Sequence, residues 1–469
     1  MSAKVKIIVS TYLAVCLSLG SFLVSAQQLN AEQQSQLKTL KATALESDLS
    51  YQLIESLTTE VGHRMMGSEG DKKSIVWAVN KMKALGFDKV WTETVTGSYW
   101  LRGEAKARIV APYPHDLVVL ALGGSIGTDK TGLTGNIAHF ETFADLKAAP
   151  DNSLDGKIAF VSYQMERHID GKGYGLAVGT RVNGAVVAAQ KGASALVMRS
   201  VGTDNNRTAH TGVMRYKDNV RKIPAATLSN PDADLLLHQL KRGGEVSMFL
   251  KMTARTDAEI MAKSANVIGE FTGSEWPEEI VALGAHLDSW DVGTGALDDG
   301  LGIGMVMAAA HHIGQLPKRP KRTIRVILFA AEEVGLLGAK QYVKDHKAEL
   351  AHHVIGAEWD FGIGRIYKMT SGVGAQSLNA VRELAQYLAP LGVALSPDNN
   401  AKGQSDMSAL SHEGMPSINF SPDGSHYFDY HHTENDTLDK VEPEALKVNT
   451  AIYTMFAYFA AQARDDFRK

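Results

Sequence analysis

The sequence predicts an α/β protein in which a mostly parallel or mixed sheet is sandwiched by helices and interrupted by an inserted β-rich region. Three observations carry this expectation. From Ser264 onward, strand-like runs ("ANVIGEF", "EIVALGAHL", "IRVILFAAE", "HHVIGAEWD", "SINFS") alternate with helix-like ones ("GLGIGMVMAAAHHIGQL", "EVGLLGAKQYVKDH"). That is the pattern of a parallel sheet covered by helices. Between Pro112 and Ala254 the texture changes to short apolar runs punctuated by Gly and Asp ("LVVLAL", "GKIAFVSY", "ALVMRS", "AATLS", "VSMFLKM"). Ahead of both, apolar residues recur at helical spacing.

The elements follow in order. The stretch after Ala26 predicts two helices broken near Ser47–Asp48. "GSEGD" is a turn that starts a third, whose apolar face is Ile75, Val76, Val79, Met82 and Leu85, and "DKVWTETV" reads as a strand. In the β-rich region, "RVNGAVVAAQKG" and "NPDADLLLHQLKRG" are helical interruptions. The expected organisation is residues 1–26 as a signal peptide, 27–111 and 255–469 as one catalytic domain, and 112–254 as an insertion.

The signal peptide rests on "MSAKVKIIVSTYLAVCLSLGSFLVSAQQ": Lys4 and Lys6, an apolar run from Ile7 to Val24, then small residues before a cut after Ala26. The expected location is periplasmic or secreted. Cys16 is the single cysteine, so a mature chain has none, which excludes thiolate catalysis and Cys-based zinc sites. A net charge of −4 without a long basic run argues against nucleic acid. No stretch after the leader is long and apolar enough to span a bilayer.

"HLDSWDVGTGALDDG" (His286 to Gly300) crowds Asp288, Asp291, Asp298 and Asp299 beside an imidazole. Unpaired, these carboxylates repel one another, so the loop calls for a positive partner. Other groups with ligand chemistry also sit just past strand ends: Glu332 and Glu333 after "IRVILFAA", Asp360 after "HHVIGAEW", and His432 after "SINF". In an open α/β sheet, ligands bind in the crevice beyond these ends. Each motif alone has an ordinary explanation, since acids also favour helix N-termini. Together, carboxylates and imidazoles without thiols suit Zn²⁺, with Mn²⁺ or Co²⁺ as substitutes. Asp291 reads as a solvated turn residue.

"HLDSWDVGTGALDDG", "AAEEVGLLGA", "EWD" and "DYHHTENDTLDK" resemble, in order, the co-catalytic zinc exopeptidases of peptidase family M28, most of all its carboxypeptidase Q branch. "GHRMMGS" fits too, and the inserted region resembles the protease-associated domain of many members. The resemblance implies two Zn²⁺ per chain. It assigns His286 and His432 as imidazole ligands, Asp298 as the bridging carboxylate, Glu333 and Asp360 as one carboxylate ligand per metal, and Glu332 as the general base. It makes Asp288 the partner that orients His286, with Asp299 beside it. The implied activity is hydrolysis at the end of short peptides, a dipeptidase or exopeptidase, through a metal-bridging water activated by Glu332; an aminopeptidase of the same family is the alternative. The expected partners are short peptides, with a homodimer left open and no membrane once the leader is removed.

The chain departs from simpler family members at "AKGQSD", where Lys402 stands three residues before Ser405 and no Tyr precedes the Ser-Asp pair. The oxyanion donor is therefore open, with Tyr427 and His431 as candidates, and Arg365 as a candidate anchor for a terminal carboxylate. Rival readings are a serine hydrolase built on "GGSIG" (Gly123 to Gly127), a glutaminyl-cyclase-like acyltransferase, and an inactive binding protein. The first needs a helix after the elbow, and "TDKTGLTGN" is turn-rich.

Overall fold

The computed structural model describes residues 27–469, so the expected signal peptide lies outside the described residues. The first two helices are Ala31–Glu46 and Leu49–Glu60, broken where the sequence places the break. Asn30 opens the first with a capping box: its side chain accepts from the Gln33 amide while the Gln33 side chain accepts from its own. Ser68 caps the helix Glu69–Ala84 by accepting from the Asp71 amide.

The described residues build two eight-stranded sheets. The first runs, edge to edge, Lys89–Leu101, Arg255–Phe271, Arg322–Phe329, Trp276–His286, His353–Glu358, Ser417–Pro422, Ile366–Gly372 and Ala394–Leu395. Its four central strands, Arg322–Phe329 through Ser417–Pro422, are parallel. The strands Lys89–Leu101 and Arg255–Phe271 add antiparallel pairing on one side, and Ile366–Gly372 adds it on the other. Arg322–Phe329 and His353–Glu358 are buried along their whole length, as strands covered on both faces must be. One cover is the helix Leu301–Gly314, buried almost throughout and packed on the helices Leu49–Glu60 and Pro443–Gln462.

The second sheet draws all its strands from residues 105–252, in the order His115–Leu117, Ala105–Ala111, Ser247–Met252, Leu133–Phe140, Ile158–Val161, Ala195–Arg199, Ala225–Leu228 and Val119–Ala121. It therefore starts at Ala105, ahead of the expected boundary at Pro112. The reason is in the pairing: Ala105–Ala111 lies along Ser247–Met252, and the chain leaves the first sheet at Leu101 and re-enters at its partner Arg255. The helix Lys172–Gln190 packs on this sheet. The expected strand "LVVLAL" is split, with Val119–Ala121 at the far edge from His115–Leu117. Ser125 of "GGSIG" is fully buried in a loop; its hydroxyl accepts from the Ala225 amide and donates to the Ile126 carbonyl. It is no exposed nucleophile. Among the described residues no helix is long and apolar enough to cross a membrane.

Candidate active site

Parallel pairing puts the C-terminal ends of four strands on one edge of the first sheet, and the candidate residues collect there. His286 ends its strand, Glu332 and Glu333 lie just past Phe329, Asp360 lies two residues past Glu358, and His432 follows the turn after Ser417–Pro422. His286 Nε2 lies 3.0 Å from Asp298 Oδ1 and 3.4 Å from Asp360 Oδ1. His432 Nε2 lies 3.1 Å from both Asp298 Oδ2 and Glu333 Oε2. Asp298 thus presents one oxygen to each imidazole. His431 stacks on His432 with ring centroids 3.5 Å apart, and its Nε2 is 3.7 Å from Asp298 Oδ2.

The protons on these imidazoles are spent elsewhere. His286 Nδ1 donates to the Asp288 carbonyl (3.0 Å), and His432 Nδ1 donates to the Thr211 carbonyl (3.2 Å). A neutral ring fixed in that tautomer offers a bare Nε2. Two bare nitrogens then face carboxylate oxygens at 3.0–3.1 Å, acceptor against acceptor. Such a contact is repulsive unless a cation sits between, or unless both rings carry a second proton. Burial pulls both toward neutrality, but the carboxylates around them win, Asp360 foremost at His286 and Glu333 at His432. They raise His286 well above its ordinary range and His432 to about 9. Buried Asp298 Oδ2 and Glu333 Oε1 accept no hydrogen bond from the described residues. Donor set, tautomers and orphaned oxygens all fit bound metal.

The surrounding residues hold the loops. Asp288 meets the His286 ring through its main chain: its carbonyl, rather than its carboxylate at 3.6 Å, takes the His286 Nδ1 proton. The carboxylate accepts from the main-chain amides of Glu332 (2.9 Å) and Glu333 (3.3 Å), fixing the acidic pair. Asp299 accepts from the His286 and Gly302 amides. The Asp298–Asp299 peptide is cis. Asp291 is not a solvated turn residue; it pairs with buried Arg102, which also donates to the Thr211 hydroxyl and the Ala121 carbonyl. Trp290 packs in the core of the second sheet and meets the His432 ring edge-on. From "GHRMMGS", fully buried Arg64 donates to the carbonyls of Leu287, Thr294 and Gly295. A Cβ on Gly295, at φ 63°, would lie 2.7 Å from that guanidinium, so the close approach requires glycine.

Glu332 lies beside His286 and Asp360, the three groups bringing ligand atoms within 4.8 Å of one another. Its Oε1 accepts from the Ser405 hydroxyl at 2.7 Å. Burial, reinforced by Asp360, pushes its pKa well above the usual carboxylate range. A raised carboxyl pKa is what a group exchanging protons near neutrality needs.

Sequence reading missed several residues. Asp436 accepts from the amides of Leu297 and Asp298 and so fixes the backbone at Asp298. Its place four residues past His432 was the available signal. Asp406 and Glu358 are buried acids under the cluster. Tyr174 and Arg181 come from the helix Lys172–Gln190 and carry no recognisable motif. With Arg215, Phe361, Tyr427 and Phe428 they line a cleft of about 450 Å³ over the cluster. Tyr427 and His431 also line it. Arg365 and Lys402 do not: both side chains are exposed outside it.

Residues 266–457 match the model of peptidase family M28. Carboxypeptidase Q of Mus musculus is 34% identical over 414 residues, spanning 88% of this chain and 85% of its own. The chain belongs to peptidase family M28. Aminopeptidase YwaD of Bacillus subtilis is 24% identical over 88% of this chain and 84% of its own. The crystal structure of a peptidase M28 precursor from Shewanella amazonensis superposes with a TM-score of 0.91 at 50% identity, covering 93% of this M28 chain and 98% of that one. The zinc aminopeptidase BSAP from Bacillus subtilis shares the M28 fold, with a TM-score of 0.64 at 22% identity over 90% of this chain and 98% of its own.

Proposed function

We propose that this M28 peptidase is an exported di-zinc exopeptidase acting on dipeptides and other short peptides. The observation that carries the reading is the convergence of the His286 and His432 Nε2 atoms on the two carboxylate oxygens of Asp298, each ring's Nδ1 proton being given to a main-chain carbonyl. His286, Asp298 and Asp360 would hold one ion, and Asp298, Glu333 and His432 the other. When bound, the ions supply Lewis acidity, polarising the scissile carbonyl and making a water a stronger acid.

The chain's own residues do the rest. Glu332 takes the proton of the attacking water and passes it to the leaving amine, a transfer worth about 10²–10⁴-fold in rate. Ser405 holds the Glu332 carboxylate by its hydrogen bond. Asp288 holds the backbone of Glu332 and Glu333, so the base and the ligand keep their separate directions. Tyr427 and His431 are the candidates for stabilising the developing oxyanion, since both line the cleft. Phe361 and Phe428 wall it and favour a dry interior.

Two features of the whole chain complete the proposal. Residues 1–26 read as a cleaved leader, and the cysteine-free mature chain is at ease in an oxidising compartment. The segment carrying the second sheet is read as an inserted protease-associated-type domain that gives no metal ligand but covers the cleft, limiting it to short substrates.

The test is elemental analysis paired with dipeptide hydrolysis. Two zinc ions per chain, activity lost on chelation and recovered on adding Zn²⁺, would support the reading. Full activity in enzyme shown to be metal-free would overturn it.

A further inference from the structure

We infer that His210, braced by Asp204, is a positioning residue for the second imidazole ligand: it holds the peptide that leads into His432, so that retention of an ion between Asp298, Glu333 and His432 depends on it. The inference rests on the di-zinc reading above and gives that site a residue from the segment of the second sheet.

The backbone of His432 is what needs holding. It lies at φ 62°, in the left-handed region that a residue with a Cβ rarely adopts. Such a conformation costs about 1–3 kcal/mol and persists where the surroundings enforce it. Here both flanking peptides are held from outside the loop. On the C-terminal side the Thr211 amide donates to the His432 carbonyl at 3.0 Å. On the N-terminal side His210 Nδ1 donates to the His431 carbonyl at 2.7 Å. That carbonyl belongs to the same peptide group as the His432 nitrogen. Two consecutive residues thus fix the two peptide planes whose setting aims the His432 ring at Asp298 and Glu333.

His210 is itself caged. It is buried, and its Nε2 lies 2.6 Å from Oδ2 of buried Asp204. A carboxylate and a carbonyl only accept, so the ring donates at both nitrogens, and Asp204 balances the charge this gives it. A ring gripped at both ends does not turn. Asp204 is set in its turn: its Oδ1 accepts from the Asn206 amide at 2.7 Å, and its carbonyl accepts from Asn230 Nδ2 at 3.1 Å. The His210 amide donates to the Ser200 hydroxyl at 2.8 Å. A Cβ on Gly202 would lie 2.3 Å from His210 Nε2, so the ring sits where only glycine leaves room. Neither His210 nor Asp204 lines the cleft. The pair acts on the site through the main chain, away from substrate.

The experiment uses the different reach of two amides. Asparagine places its amide where the histidine Nδ1 stands, and glutamine where Nε2 stands. His210→Asn therefore keeps a donor toward the His431 carbonyl, whereas His210→Gln keeps one only toward Asp204. Zinc content of the full chain is measured after equilibration with graded chelator. Wild type should carry two ions. His210→Gln should release one of them at about 10-fold lower chelator, within the range for groups that orient metal ligands, and keep the other. His210→Asn should stay close to wild type. Adding His210→Gln to Glu333→Gln should release no further zinc, since both changes act on one site. Equal losses in the Gln and Asn variants, or two ions held by His210→Gln as tightly as by wild type, would overturn the inference and leave the di-zinc reading intact. Wild type that binds no zinc would overturn that reading, and the inference with it. If the variants do not fold, nitrogen-15 histidine NMR of wild type decides: a proton on His210 Nδ1 protected from solvent exchange supports the clamp, and an unprotected or absent one overturns it.

Discussion

The Thr211 carbonyl accepts the Nδ1 proton of His432 at 3.2 Å, and the Thr211 amide donates to the His432 carbonyl at 3.0 Å. An imidazole at the end of the first sheet is therefore oriented by backbone from the segment that builds the second. Next to Thr211 stands Gly212, at φ 138°. Gly212→Ala should strain this loop by about 1–3 kcal/mol and press on Arg181. The expected outcome is weaker zinc retention, read by competition with a chromogenic chelator. Unchanged zinc affinity would show that the loop does not set His432.

Glu332 and Glu333 are neighbours whose carboxylates meet different partners, Ser405 and His432 respectively. Glu332→Gln should lose turnover by at least about 10²-fold while retaining both metals. Glu333→Gln should lose one metal and be partly rescued by excess Zn²⁺. Metal content and rates measured on the same preparations test the pair; the opposite pattern would exchange their roles.

Arg102 ties the loop His286 to Gly300 to the second sheet through Asp291, Ala121 and Thr211. Removing it leaves Asp291 largely shielded and uncompensated. Arg102→Met should cost about 2 kcal/mol in denaturant unfolding, below the range for a fully buried pair because Asp291 retains some solvent. A loss within about 0.5 kcal/mol, typical of surface changes, would contradict this.

Far from the cleft, His346 is clasped by Glu349 (2.6 Å) and Glu93 (2.7 Å). Burial opposes its charging, yet the two carboxylates win and raise its pKa to about 9. The folded value lies above the unfolded one, about 6.5. Its contribution to stability is therefore complete below about pH 6.5 and lost as pH rises through about 9. The stability gap between wild type and His346→Gln should be widest at pH 6 and close by about pH 9.5. A gap that stays constant with pH would show that the charge on His346 does not matter.

Much of this was legible in the residues. The alternation of periods from Ser264 gave the central strands because strands buried on both faces read as unbroken apolar runs. The ligand candidates stood out because acids and imidazoles rarely crowd strand ends without a purpose. What stayed hidden depends on distant pairing. The start of the second sheet at Ala105 is set by Ser247–Met252, about 140 positions away. Arg181 looks like any helix arginine until the fold buries it and leaves its nitrogens idle. Asp291 looks like a turn acid until Arg102 arrives. Arg365 drew notice by its closeness to Asp360 in sequence, which says nothing about which way a side chain faces.

The register pair Leu101 and Arg255 has a consequence for synthesis. These neighbours are about 150 positions apart. At ribosomal speeds of about 5–20 residues per second, the strand ending at Leu101 waits on the order of ten seconds for its partner to be made. During that interval every strand of the second sheet emerges, so that sheet can close on itself first. The strand Lys89–Leu101 meanwhile exposes an unpaired edge, the usual starting point for aggregation. The stretch of the nascent chain most in need of protection is thus the one before the second sheet, and a synonymous change that slows translation within residues 105–252 should lengthen its exposure.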